Sequence, residues 1–288
     1  MPTLPRSFQF TQTSLQDFVE CARRFDLRYR RALRWPAVEI EPIEEQERRM
    51  ALGKAFHQLV QQHTVGLPAE RIGEASRAPD MGPELSNWWQ NYLAYRPVDL
   101  FGGEKGHAVV RSEFTLTTFV AGYPVIVRYD LLVCLPGEQA VILDWKTSAK
   151  RTPERLLAER MQTRVYPFLL VEAGGALNGG HPIDPQHVEM VYWFPEFPDS
   201  PARFQYNSVQ HAEDGDYLTD LIEEIVGLPD DGFEMTEHRG HCRTCVYRSY
   251  CDKGIRAGAL DDVVAVWDLR EQGSSLEVDF DRISEIEY

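Results

Sequence analysis

Residues 141 to 150, VILDWKTSAK, set a carboxylate, Asp144, and an ammonium, Lys146, two places apart at the end of an apolar run. Side chains two apart on a strand share a face. Such a pair suits phosphodiester hydrolysis. The acid is a hard oxygen ligand for Mg2+ or Mn2+, and the ammonium orients a water and offsets charge on phosphoryl oxygens. The tripeptide alone more often marks a surface ion pair. Its company favours the chemical reading. Asp130 stands in VRYDLLV, an apolar surround in which a carboxylate is costly unless a cation or a donor satisfies it. A hairpin pairing 123–135 with 140–144 brings Asp130 and Asp144 together. His57, in GKAFH, offers an imidazole, which Mn2+ accepts more readily than Mg2+ does. Gln162 and Tyr166, four apart, project from one helix face toward the sheet end that holds Asp144.

A second constellation is Cys242, Cys245 and Cys251 in C-x2-C-x5-C spacing, with Cys21 far upstream and Cys134 inside a strand. In a cytoplasmic chain this spacing points to metal rather than to disulfides. Three thiolates leave one position open. Cys21 fills it in an iron-sulfur reading, which completes a four-cysteine set for a 4Fe-4S cluster and clasps the two ends of the domain. His238 or His241 fills it in a zinc reading.

The elements that must hold these residues follow from pattern. Ser14 reads as the N-cap of a first helix that carries Cys21 and an arginine cluster and ends before Pro36. A second helix, roughly Ile43 to His63, contains His57. Residues 66 to 106 read as an inserted helical segment. Three strands follow as a meander, with turns at Ala121-Gly122 and Pro136-Gly137. A helix from Thr152-Pro153 to about Glu172, with a kink expected at Pro167, precedes a strand at 188–194 and a helix at 214–228. The sum is an α/β chain, a sheet with helices against it.

Bulk properties bound the function. With 43% apolar and 26% charged residues, the 288-residue chain is that of an ordinary globular protein. No apolar run approaches the roughly 18 residues of a membrane span, and MPTLPRSFQF lacks the regions of a signal peptide, so a cytoplasmic location is expected. A net charge of -15 argues against nucleic acid on average. Locally the balance reverses: Arg23, Arg24, Arg28, Arg30, Arg31 and Arg34 face only Asp26, while residues 261–288 carry -7. No phosphate-binding G-x4-G-K-[ST] is present, so any unwinding of a duplex falls to a partner.

Together, GKAFH with His57, Glu113 in RSEF, Asp130 in VRYDLL, Asp144 and Lys146 in DWK, and Gln162 and Tyr166 in Q-x3-Y resemble the RecB-type branch of the PD-(D/E)XK nucleases. The segment SLQDFVECARRF with C-x2-C-x5-C is similar to the iron-sulfur subset, which includes the AddB nuclease domain and the CRISPR adaptation exonucleases. The match departs from the usual pattern at Val127 and Ala22, which replace a Gly and a Pro. The resemblance implies a restriction-endonuclease-like mixed sheet flanked by helices, with a helical insertion at 66–106 and an iron-sulfur clasp joining the termini. It implies a nuclease domain over 1–260, with the cysteine segment at 238–253 and an acidic tail at 261–288. His57, Asp130, Asp144 and Lys146 become the catalytic set, the first three as ligands of Mg2+ or Mn2+. Gln162 and Tyr166 support it and contact DNA, Arg23 and Arg24 guide the DNA backbone, and Glu113 is a structural acid. Cys21, Cys242, Cys245 and Cys251 hold a 4Fe-4S cluster. The activity implied is a DNA exonuclease on single strands or ends, in repair, recombination or CRISPR adaptation, with a helicase or similar partner. The alternative is a non-catalytic, metal-clasped DNA-binding or assembly module.

Overall fold

In the computed structural model, residues 4–33, 43–77, 82–95, 108–243 and 245–252 are described. The acidic tail, Arg34 and parts of the 66–106 insertion lie outside them. Five strands form one mixed sheet in the order β1-β2-β3-β4-β5. They are β1 (Val109–Val120), β2 (Tyr123–Leu135), β3 (Gln139–Trp145), β4 (Val188–Trp193) and β5 (Ala202–Gln205). The expected meander forms β1 to β3 with antiparallel pairing. β4 then joins β3 in parallel, and β5 returns antiparallel.

Each face of the sheet carries its own core, so the inner strands read as nearly continuous apolar runs. One core packs β2, β3 and β4 against α1 (Gln12–Glu20), α7 (Met161–Ala173) and α8 (Ser208–Gly227). The other packs Leu131, Val133, Val141, Leu143, Trp145 and Trp193 against α3 (Ile43–Thr64), α4 (Ala69–Ala75) and α5 (Gly82–Tyr95). The insertion therefore contributes two helices, α4 and α5, to the second core. Trp88 donates to Glu196 (2.8 Å) and Asn91 to the Pro195 carbonyl (2.8 Å), tying α5 to the segment after β4.

The two-residue alternation slips once in each of β1 and β2, at the same level. Val125, Val127 and Tyr129 belong to the first core, as do Leu132 and Cys134 beyond Asp130, while Leu131 and Val133 belong to the second. Across the ladder, Phe114 and Leu116 face the first core but so does Val109. Between them sits Glu113, with a left-handed φ of 50°. The paired register runs up to Ser112 and resumes at Phe114, leaving Glu113 out of the ladder opposite Asp130.

Two expected helices are broken. Thr11, rather than Ser14, caps α1 with a reciprocal capping box in which Ser14 is the third residue. The helix then stops at Cys21, which is extended (φ -166°, ψ 106°), before α2 (Ala22–Phe25) and a π-helical turn over Asp26–Arg30. The helix expected over 152–172 divides into α6 (Glu154–Ala158) and α7 at Arg160, whose ψ is 142°. Pro167 is accommodated inside α7, so the break precedes Gln162 instead of following it.

Candidate active site

The parallel and antiparallel neighbours of β3 converge at its C-terminal end. Continuing the β2–β3 register one step beyond Leu131 and Leu143 sets Asp130 opposite Asp144. The Trp145 amide donates to Asp130 Oδ2 (2.8 Å), closing that end of the hairpin. α3 delivers His57 to the same place. Its neighbour Phe56 is fully buried, stacked on Trp193 with centroids 6.2 Å apart and edge-on to Trp145 at 6.4 Å, which fixes the helix against the sheet.

His57 Nε2 lies 3.2 Å from the Trp145 carbonyl, and Nδ1 lies 3.6 Å from Asp130 Oδ1. With Nε2 on the carbonyl, Nδ1 faces Asp130, where it donates when protonated and offers a lone pair to a shared cation when it is not. Metal-binding histidines are commonly oriented this way. The left-handed φ at Glu113 brings a third donor: His57, Glu113 and Asp130 each offer a ligand atom within 4.8 Å of the others. Burial, and then the charge of Asp130, raise the Glu113 pKa, with Asp144 adding to the effect and Arg128 and His57 opposing it. Burial also opposes ionisation of Asp130, but His57, the Trp145 amide and Lys146 outweigh it and hold that carboxyl low. Two carboxylates and one imidazole in a half-buried to buried site form a hard donor set that a divalent cation fits.

Asp144, expected among the metal ligands, belongs to an adjoining chain of contacts. It is fully buried, as is Lys146 at 2% exposure. Lys146 Nζ is 2.8 Å from Asp144 Oδ2 and donates to Gln162 Oε1 at 3.1 Å, while Gln162 Nε2 donates to Asp144 Oδ1. These three side chains close a ring. Tyr166, one turn further along α7, donates to the Arg128 carbonyl (2.9 Å) and accepts the Tyr129 hydroxyl at its own carbonyl (2.9 Å). Burial, then the Asp144 and Asp130 charges, push the Tyr166 phenol well above its usual pKa, so it remains a neutral donor. Its hydroxyl is spent on the backbone of β2. Glu113, expected as a structural acid, pairs with Arg128 (3.1 Å) and also offers a ligand atom to the trio.

Residues 9–252 match the model of the PD-(D/E)XK nuclease superfamily. The chain belongs to that superfamily. A five-stranded mixed sheet flanked by helices agrees with the restriction-endonuclease-like fold of PD-(D/E)XK nucleases. Among solved structures, the crystal structure of SSO0001 is similar over 84% of this chain and 85% of its own, at 15% identity and a TM-score of 0.40. A provisionally named exonuclease from Eubacterium rectale is similar over 76% of this chain and 80% of its own, at 8% identity and a TM-score of 0.45. No curated protein matches the chain in sequence. No helix among the described residues is long and apolar enough to cross a membrane.

Outside the superfamily site, Cys21, Cys242, Cys245 and Cys251 line one pocket with Arg24, His241, Tyr247 and Arg248. Burial, and then the nearby Cys245 and Cys21 thiols, raise the Cys251 pKa. The expected arginine groove takes another form here. Arg24 is 4% exposed and held by Asp17 (2.8 Å) and Glu20, and Arg23, half-buried, pairs with Asp26 at 3.3 Å. Arg30 and Arg31 also converge on Asp26, which is fully buried. Arg24, held by these acids, borders the cysteine pocket, while Arg23 and Arg31 keep about a third of their side chains exposed. Several of these pairs, Arg23–Asp26, Arg24–Glu20 and Arg30–Asp26, have ordinary helical spacing, whereas Arg28 reaches Asp17 from eleven residues away.

Proposed function

We propose that this chain is a metal-dependent deoxyribonuclease that hydrolyses phosphodiester bonds on single strands or at DNA ends. The observation that carries the reading is the convergence of His57, Glu113 and Asp130 within 4.8 Å, beside the buried Asp144–Lys146–Gln162 ring. His57, Glu113 and Asp130 hold Mg2+ or Mn2+, with Asp144 as a further oxygen donor. The bound ion would supply Lewis-acid polarisation of the phosphoryl oxygen and a lowered pKa for the attacking water. Lys146 donates one N–H to Gln162 and forms an ion pair with Asp144, and its ammonium orients that water and then stabilises the developing phosphoryl charge. Gln162 keeps Lys146 and Asp144 in register. Tyr166 fixes β2 beneath Asp130, and its own share in DNA contact is confined to positioning.

The second part of the reading is that the chain is of the RecB/AddB-type iron-sulfur branch, similar to the CRISPR adaptation exonucleases. Four thiols lining one pocket between α1 and the 239–251 segment support this, and the buried guanidinium of Arg248 suits an anionic thiolate-bound 4Fe-4S cluster. A helicase or integrase would supply the unpaired strand in repair, recombination or CRISPR adaptation.

The test is digestion of end-labelled single-stranded and double-stranded DNA with Mg2+, Mn2+ or chelator, for the parent and for Asp130→Ala and Lys146→Met. Metal-dependent digestion that both substitutions abolish is the expected result. Digestion surviving both, or a parent that binds DNA and never cuts it, would return the chain to the class of non-catalytic assembly modules. Separately, anaerobically purified protein should be brown; a colourless, zinc-loaded sample would replace the cluster with the zinc reading.

A further inference from the structure

We infer that Tyr192 is a positioning residue for Lys146: its ring face holds the lysine ammonium in the orientation that hydrolysis requires. This rests on the reading of Lys146 as the water-orienting group. Tyr192 lies outside every motif visible in the sequence. The parallel β3–β4 register places it directly beside Asp144, on the face that also carries Met190 and Ile142. It is fully buried. Lys146 Nζ stands 5.4 Å from the centre of its ring, inside the range of about 6 Å over which a cation is drawn to an aromatic face.

The ring cannot easily turn away. Its hydroxyl lies 2.7 Å from Thr163 Oγ1, and that hydroxyl in turn reaches the Leu157 carbonyl. Phe204 packs edge-on at 5.9 Å. Both anchors come from the α6–α7 break and the β4–β5 pair, so the folded sheet sets the ring plane before Lys146 meets it.

The physical need is specific. Lys146 is a point charge on a flexible four-carbon stem, and its two acceptors, Asp144 and Gln162, are themselves bonded to each other. They act as one wall. A third side made of another carboxylate would take a further N–H and over-neutralise the charge. An aromatic face attracts the cation without offering a lone pair, which restricts the stem and spares a donor for the reacting oxygen.

The test replaces Tyr192 by Phe, by a series of progressively fluorinated phenylalanines of nearly constant volume, and by Leu. Tyr192→Phe should restore most of the single-turnover rate, and fluorination should lower that rate stepwise, by about tenfold across the series, at unchanged melting temperature and KM. A rate that stays flat while the ring loses its electrostatic face would overturn the inference. If Lys146→Met leaves digestion intact, the role of Lys146 itself fails, and the inference with it; if Lys146→Met abolishes digestion yet the series is flat, only the role of Tyr192 fails. A readout independent of turnover is NMR of 13C-lysine protein. The Lys146 ε-methylene should carry an upfield ring-current shift that vanishes in Tyr192→Leu, and a shift equal in both proteins would refute the contact.

Discussion

Replacing Glu113 by Gly and by Ala separates what the carboxylate does from what the backbone beneath it costs. Both substitutions delete the same ligand and the same half-exposed pair with Arg128 (3.1 Å), a pair worth no more than about 1 kcal/mol. They differ in how they tolerate a φ of 50°. A residue with a Cβ pays roughly 1–2 kcal/mol in the left-handed region. Glycine avoids that cost but loses roughly 0.5–1 kcal/mol more in backbone entropy on folding. The difference leaves Glu113→Gly more stable than Glu113→Ala by up to about 1.5 kcal/mol, the reverse of the usual order within a strand. Urea melts of the two variants measure it directly. Metal adds a second readout, because a cation at a hundred times its Kd stabilises a binding-competent protein by about 2.7 kcal/mol. The parent should gain that increment and both variants should lose most of it, along with DNA digestion. An Ala variant more stable than the Gly variant would show that the backbone at Glu113 carries no such strain. Undiminished Mg2+ stabilisation in both would remove Glu113 from the metal site.

Three further expectations follow from buried polar contacts. Gln162→Leu strips a hydrogen-bond partner from both Lys146 and Asp144, so it should destabilise by about 1–3 kcal/mol in denaturant melts and lower the digestion rate more than it raises KM. Tyr166→Phe leaves the Arg128 carbonyl without its donor at the back of the site; calorimetry should show a loss of about 1 kcal/mol, with digestion reduced but present. Asp26→Asn leaves Arg23, Arg30 and Arg31 gathered round a neutral centre. It should cost about 3–5 kcal/mol and speed modification of Cys21 by a thiol reagent in metal-free protein.

How far the sequence discloses this site depends on the range of each interaction. Spacing within one element is legible: Gln162 and Tyr166 share a helix face, and Asp144 and Lys146 share a strand end, because the helical and strand periods, about 3.6 and 2.0, are fixed. The three-stranded meander and its turns are legible for the same reason. Glu113 is underweighted because its recruitment depends on a slip in alternation that single-strand periodicity conceals. The reading has no way to see that β1 and β2 slip together. Tyr192 is missed since its importance arises from the parallel β3–β4 register, set by a long crossover that runs from Trp145 to Val188. β5 is too short and mixed in pattern to stand out, with only Ala202 of its four residues buried. Among the arginines the charges and Asp26 are legible, but the complete burial of Asp26 and the reach of Arg28 to Asp17 are not.

These long-range features meet at the first turn of α7. The Met161 amide, one of the donors a helix start leaves unsatisfied, is capped by Gln16 Oε1 from α1 at 2.9 Å. Gln16 lies on the helix that ends at Cys21, and Met161 immediately precedes Gln162. One covalent step therefore separates the helix that begins the cysteine clasp from the amide that bridges Asp144 and Lys146. The link is physical but thin, a single side chain to backbone hydrogen bond worth about 1 kcal/mol net. Loosening α1 by emptying the cysteine pocket can change the positioning of Gln162 by no more than that, roughly fivefold in rate. The larger consequence falls on folding. Arg30 joins Asp26 to Asp230, the Arg23 amide donates to the Glu234 carbonyl, and Tyr247 reaches the Leu33 carbonyl at 3.1 Å, so the N-terminal helices and the cysteine segment hold each other through several contacts at once. If the proposed cluster fills the cysteine pocket, protein stripped of it should lose stability well before the surviving folded fraction loses its rate. Gln16→Ala in the loaded protein should reproduce the small kinetic effect without the large thermodynamic one.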